Sequence, residues 1–240
     1  MRVASVQFKG DRERMSARRG ELADLVRSVH RGTSLVVCPE LAVSGYVFAG
    51  EPEARVVAES LNGPTFSALS AAAREVGAWV VCGFVEDAGE QLFNSAMIID
   101  PGGELASCYR KTLLFELDEC WSHPGDSGYQ VFDMAEGRFG VGICMDLNDD
   151  RFTSWVREQR LAALAFPTNW LEQGIDVWGY WAMRLSGSQT ALVAANTYGD
   201  EGSTTFSGRS AVLQEKAGRW YLHAHADVVG DALVEAQIQV

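Results

Sequence analysis

A layered α/β sandwich is the fold class that the sequence predicts, on three observations: short apolar runs of strand length, helix-like stretches set between them, and Gly/Pro punctuation at the breaks. The predicted strands are Arg2 to Phe8, Ser34 to Pro39, Ala78 to Val85, Ser95 to Asp100, Arg138 to Cys144, Ala162 to Pro167 and Ala191 to Asn196. Several are apolar throughout, as strands covered on both faces are. Helix-like stretches fall between them at Arg12 to His30, Thr65 to Val76, Asp149 to Gln159 and Asp176 to Gly187. Turns are marked by Asn62-Gly63-Pro64, Asp100-Pro101-Gly102-Gly103 and His123-Pro124-Gly125-Asp126, each too short for an interdomain linker. Beyond residue 200 the order changes: Ser210 to Gln214, Trp220 to Ala226 and Ala232 to Val240 read as strands without intervening helices, which predicts a closing meander.

The 240 residues are read as one domain spanning 1–240, with 47% apolar composition to fill its core. A net charge of −12, from 20 Lys plus Arg against 32 Asp plus Glu, opposes binding to nucleic acid or an anionic membrane. No apolar run approaches the roughly 20 residues of a membrane span, and the first residues lack a signal peptide's apolar segment. The expectation is a soluble, cytoplasmic protein. Its five cysteines form no CxxC pair, so neither a disulfide framework nor a zinc ribbon is predicted. Cys38 and Cys82 end apolar strands and are read as buried structural thiols.

Polar residues at three strand ends stand out: Glu40 in Cys38-Pro39-Glu40-Leu41, Lys111 in Tyr109-Arg110-Lys111-Thr112, and Cys144 in Gly142-Ile143-Cys144-Met145-Asp146. Functional groups of α/β proteins converge at the carboxyl ends of strands. Those three suffice for thiol-based acyl transfer, because a thiolate attacks a carbonyl, a carboxylate moves the proton and an ammonium offsets the oxyanion. Other clusters carry less. Asp146, Asp149 and Asp150 are read as serving a helix start rather than a metal, since free N–H groups there attract carboxylates. His223 and His225 lack a third ligand, and no glycine-rich phosphate loop is present. Most of the large aromatics Trp155, Trp170, Trp178 and Trp181 are expected to pack the core.

Pro39-Glu40, the run Tyr109 to Phe115 and Gly142 to Asp146 resemble, in order and spacing, the three catalytic blocks of the nitrilase (carbon-nitrogen hydrolase) superfamily. Phe93-Asn94-Ser95, Pro124-Gly125-Asp126 and Val193-Ala194-Ala195-Asn196 are supporting landmarks, so the resemblance spans nearly the whole chain. It implies a four-layer α-β-β-α sandwich of two mixed sheets flanked by helices. It also implies Cys144 as nucleophile, Glu40 as general base, Lys111 as oxyanion stabiliser with the backbone N–H of Met145, and no cofactor. A second carboxylate is implied after the lysine, where Glu119 is favoured and Asp118 is the rival. Tyr46, Asn169 and Trp170 are read as substrate-binding candidates.

The nucleophile block departs from the commonest family pattern, with Met145 after the cysteine and Leu147-Asn148-Asp149 beyond. Together with Leu117 to Trp121 and Tyr180-Trp181, this looks like the branch of protein N-terminal asparagine and glutamine amidohydrolases. The expected reaction is hydrolysis of a primary amide, on a small molecule or at a peptide N-terminus, through a thioester with release of ammonia. Hydrolysis of an N-carbamoyl group or a nitrile is the alternative, with acyl transfer or a silent binding role behind it. Homodimers or larger homo-oligomers are implied too, and Trp170 to Leu185 could supply the helical face.

Overall fold

The computed structural model describes residues 1–240. The first half of the chain forms β1 (Arg2–Gln7), α1 (Met15–Arg27), β2 (Thr33–Val37), α2 (Glu51–Val57), α3 (Pro64–Val76), β3 (Trp79–Asp87), β4 (Leu92–Ile99) and β5 (Leu105–Arg110). After β6 (Val131–Met134) and β7 (Gly137–Val141), a 3-10 turn (Cys144–Asn148) leads into α4 (Asp150–Gln159), β8 (Ala163–Thr168), α5 (Val177–Arg184) and β9 (Ala191–Asn196). The chain ends with β10 (Tyr198–Glu201), β11 (Thr204–Ser207), β12 (Ala211–Lys216), β13 (Arg219–His225) and β14 (Ala232–Gln237).

Two six-stranded mixed sheets result, ordered β14-β1-β2-β3-β4-β5 and β13-β12-β9-β8-β7-β6. Alternate side chains of a strand face opposite sides, which explains why the central runs are apolar throughout. Val3, Leu35, Val37 and Val81 join the core between the sheets, whereas Val36, Cys38, Val80 and Cys82 pack outward against Leu22, Val26, Leu69 and Ala72 of α1 and α3. On the far side, Phe152, Val156 and Trp181 of α4 and α5 cover the second sheet. The layers are therefore α-β-β-α, the order that the family resemblance implies. Burying aliphatic side chains on both faces of both sheets, at about 25 cal/mol per Å² of apolar surface, is the main stabilising term.

Helix boundaries follow local chemistry. Pro64 opens α3 and Gly77, at φ 68°, closes it in the left-handed region. Asp149 caps α4 by accepting the Arg151 N–H at 2.9 Å, the helix-start role expected of that acidic cluster.

The closing meander is corrected. β12 and β13 do pair antiparallel and extend the second sheet from β9, but β14 crosses to the first sheet and lies antiparallel to β1. Val234, Ala236 and Ile238 reach the core between the sheets there, and β1 gains a partner along its free edge. Four strands and one helix had no sequence signal. β5 and β6 are the edge strands of the two sheets, and β10 and β11 form a hairpin of four-residue strands. α2 spans only seven residues, too few for a helical period to register. No helix is long and apolar enough to cross a membrane.

The segment Trp170 to Leu185 offers less outward apolar surface than its sequence suggests. Trp181 and Leu185 are fully buried, Val177 nearly so, and only Ile175 and Met183 are exposed large apolar residues.

Candidate active site

Each chemical group sits where a strand of the central layers runs out. Beyond β2, the chain continues pairing with β3 through Cys38 N–H to the Val81 carbonyl, and Gly83 N–H to the Pro39 carbonyl at 3.0 Å. Gly83 must lack a side chain, because a Cβ there would lie 2.5 Å from the Cα of Glu40. This close approach buries Glu40 to 1% exposure. Lys111 follows β5 and is tied on both sides, its N–H to the Asn94 carbonyl at 2.9 Å and its carbonyl to the Gly125 N–H at 2.8 Å. Its side chain is wholly buried.

In the turn after the lysine, the carboxylate that reaches Lys111 Nζ is that of Asp118. Lys111 Nζ donates to Asp118 Oδ2 at 2.5 Å and to Glu40 Oε1 at 2.7 Å. Asp118 is fully buried and also accepts the Phe115 N–H at 3.0 Å. Glu119, favoured by family spacing, is exposed and borders a separate depression with Thr112, Leu114 and Pro124. The two residues are consecutive in a tight turn, so only one of them can point inward at the ammonium.

Asn94, read from sequence only as a landmark, joins the two carboxylates. Its Nδ2 donates to Glu40 Oε1 at 2.7 Å and to Asp118 Oδ1 at 3.1 Å. The Asn169 N–H supplies a further donor to Glu40 Oε2 at 2.8 Å. Burial pushes the Glu40 carboxyl above its ordinary range, Lys111 pulls it back and Asp118 pushes it up again. For Lys111, burial favours the neutral amine, but Asp118 and Glu40 outweigh it and hold the ammonium charged well above the usual lysine range.

Cys144 opens the 3-10 turn directly after β7, at φ 44°, a left-handed backbone angle that is strained for a residue with a side chain. Gly142 just before it is required by packing, since a Cβ there would lie 2.2 Å from the Phe152 ring. Asp146 holds the turn. Its carboxylate accepts the Ile143 N–H at 2.8 Å, the Thr112 and Leu113 N–H groups at 2.9 Å each, the Thr112 hydroxyl at 2.7 Å and the Tyr109 hydroxyl at 2.8 Å. One side chain thus fastens the cysteine turn to the lysine block, a role its place in the sequence did not reveal.

Cys144, 6% exposed, lines an apolar cleft of about 310 Å³. Burial and then Glu40 push the thiol up, Lys111, the Thr168 hydroxyl and the Asn169 N–H draw it partly back, and the balance stands at about 12. At neutral pH the resting group is a thiol that needs a base to become nucleophilic. Tyr46, Asn169 and Trp170 all line this cleft, with Met145, Asn148 and Tyr180. Tyr46 is placed from a distance: Glu201 of β10 accepts its N–H and that of Val47, and pairs with Arg12 at 2.7 Å. Three roomier depressions, of 580, 540 and 420 Å³, contain none of these groups.

Two mixed sheets between helices, with a lysine held by two carboxylates beside a cleft-lining cysteine, define a nitrilase-type hydrolase. Residues 2–219 match the carbon-nitrogen hydrolase family, and the chain belongs to that family. A nitrilase of Pyrococcus abyssi is 30% identical over 192 residues, 78% of this chain and 71% of the relative. A protein N-terminal amidase of Schizosaccharomyces pombe is 22% identical over 262 residues, covering 91% of this chain and 92% of its own. Among solved structures, an amidase from Nesterenkonia sp. AN1, crystallised as a cysteine-to-alanine mutant in complex with butyramide, superposes with a TM-score of 0.81 at 21% identity. That match covers 98% of this chain and 90% of the amidase.

Proposed function

We propose that this carbon-nitrogen hydrolase cleaves a primary amide through a thioester on Cys144. The observation that carries the reading is the buried Glu40–Lys111–Asp118 cluster beside a thiol that lines an open cleft. Glu40 takes the thiol proton as sulfur attacks the amide carbon, which lets a thiol pushed up to about 12 react at neutral pH. Charge gathers on the amide oxygen, where the Lys111 ammonium and the Met145 N–H stabilise it. The C–N bond then breaks, the proton on Glu40 passes to the nitrogen, and ammonia leaves. In the second half, Glu40 removes a proton from water, hydroxide adds to the thioester, the C–S bond breaks, and the proton returns to sulfur as the carboxylic acid departs. The butyramide held by the Nesterenkonia amidase supports a primary amide as the ligand class.

A peptide N-terminal amide is the second reading, favoured by the nearly full-length likeness to the S. pombe N-terminal amidase. Self-association through the segment Trp170 to Leu185, by its exposed Ile175 and Met183, belongs to the same proposal. Its test is ammonia release from butyramide, an N-carbamoyl amine and a nitrile, with intact-mass detection of an acyl adduct on Cys144. Inactivity toward all three would remove it.

Assignment of the second carboxylate has its own check. Asp118→Asn should lower kcat about 10²-fold or more, because the amide that replaces the carboxylate cannot fix the ammonium as a charged acceptor does. Glu119→Gln should leave kcat unchanged. The reverse ranking in steady-state assays would return the role to Glu119.

A further inference from the structure

The cleft that would receive the acyl group has no ionisable side chain in its walls apart from the thiol and the phenols. We infer that it selects uncharged primary amides, and rejects both cationic peptide N-termini and anionic carbamoyl acids. This rests on the amidase reading above and narrows its substrate.

None of the 11 residues that line the cleft is Asp, Glu, Lys, Arg or His. Its polar members are neutral: Asn148, Asn169, Gln173 and the hydroxyl of Tyr180. The buried cluster below cannot take over the role of a charge receptor, because its oxygens are already engaged. Glu40 Oε1 accepts from Lys111 and Asn94, and Oε2 from the Asn169 N–H. Asp118 Oδ2 accepts from Lys111 and Phe115, and Oδ1 from Asn94. A substrate ammonium would thus meet carboxylates with no exposed oxygen to offer it. A substrate carboxylate would meet a lysine flanked by two carboxylates.

Glu172 and Arg184, which flank the walls, are engaged elsewhere, Asp176 beside Ile175 accepts the Gly179 N–H at 3.1 Å, and Glu116 beside Phe115 is exposed to solvent. Glu172, between wall residues Leu171 and Gln173, accepts from Arg209 at 2.7 Å and from the Gly174 N–H at 2.8 Å. Arg184, on the same helix as Tyr180, donates to the Leu147 carbonyl at 2.9 Å and to Asp150 at 2.8 Å. Moving an ion from water to such a wall without a partner is strongly unfavourable, whereas a neutral chain loses little.

Two amides give the cleft its neutral polarity. Asn169 is 4% exposed, and its Oδ1 has no donor anywhere in the protein. A buried unmet acceptor is costly, and the N–H of a primary amide would satisfy it, which a nitrile cannot do. Asn148 accepts the Tyr180 hydroxyl at 2.6 Å, while its own NH₂ finds only the Met145 sulfur at 3.1 Å, a weak acceptor. That NH₂ remains able to donate to an uncharged oxygen on the substrate.

Three amides of nearly equal length separate charge from size: valeramide, 4-aminobutyramide and succinamate, compared by ammonia release at neutral pH, with a short glutamine-starting peptide as a fourth. The wild-type protein should show kcat/KM for valeramide at least about 10²-fold above each of the other three. Equal or faster turnover of 4-aminobutyramide or the peptide would overturn the inference in favour of the peptide-terminal reading. Preference for succinamate would overturn it in favour of an acid receptor. Ammonia from none of them, with butyramide also inert, would instead defeat the amidase reading on which the inference stands. In a second arm, Asn148→Asp places a carboxylate of the same size on the wall and should raise the ratio of 4-aminobutyramide to valeramide turnover by about tenfold. An unchanged ratio in a folded variant would show that this wall does not meet the acyl chain.

Discussion

Cys144→Ala is expected to reduce amide turnover by about 10⁴-fold or more, to the level left by binding and oxyanion stabilisation alone. No neighbouring group can replace the sulfur. Thr168 carries a hydroxyl close by but no base of its own, and the other four cysteines lie elsewhere, Cys38 and Cys82 sealed in the outer core of the first sheet. Stability should change little. Removing one atom that borders an open cleft leaves no sealed cavity, so the cost is about 1 kcal/mol or less. The turn itself is held by the five hydrogen bonds that Asp146 accepts, none of which involves the sulfur. Ammonia assays with a thermal melt on the same sample check both halves. Residual activity within about tenfold of wild type would rule out the thioester route.

The placement of Glu40, Lys111 and Cys144 at strand ends was legible because each interrupts a run whose pattern is strong: an apolar strand ends, and a polar side chain follows at the point where α/β sheets gather their chemistry. The sandwich was legible for the same reason, since runs such as Leu35-Val36-Val37 are apolar on both faces only when both faces are covered. The choice between Asp118 and Glu119 was not. Neighbours in a turn obey no period, and what decides is the Phe115 N–H, which anchors the Asp118 carboxylate toward the lysine. Asn94 and Asp146 went unrecognised because their roles are contacts with partners distant in sequence, Glu40 across 54 positions and Tyr109 across 37. The sheet that β14 joins was hidden too, as an apolar alternation fits either edge until β1 is seen to lack a partner.

Replacing Lys111 with methionine should abolish activity and destabilise the fold, and the destabilisation should shrink as the pH falls. In the wild type a fully buried ammonium bridges Glu40 and Asp118, each within 2.7 Å. Methionine fills the volume but leaves two buried carboxylates that share only Asn94, and removing one member of such a buried group costs about 3–5 kcal/mol. The protein can relieve this by taking up a proton. Burial already raises the Glu40 carboxyl, and Lys111 is the principal group opposing that rise. Without the lysine, the folded-state value climbs further above that of the unfolded chain, about 4.3. A carboxyl raised in this way binds more protons folded than unfolded. Its favourable contribution is therefore complete below the unfolded value and lost as pH rises through the folded one. Urea unfolding should accordingly place Lys111→Met furthest below wild type at neutral and alkaline pH, with the gap narrowing on acidification. Adding Asp118→Asn removes one buried charge and should recover stability at neutral pH without recovering turnover, which separates the lysine's structural role from its role at the oxyanion. A Lys111→Met protein as stable as wild type at every pH would mean that the ammonium does not neutralise this cluster, and the electrostatic basis of the site would have to be abandoned.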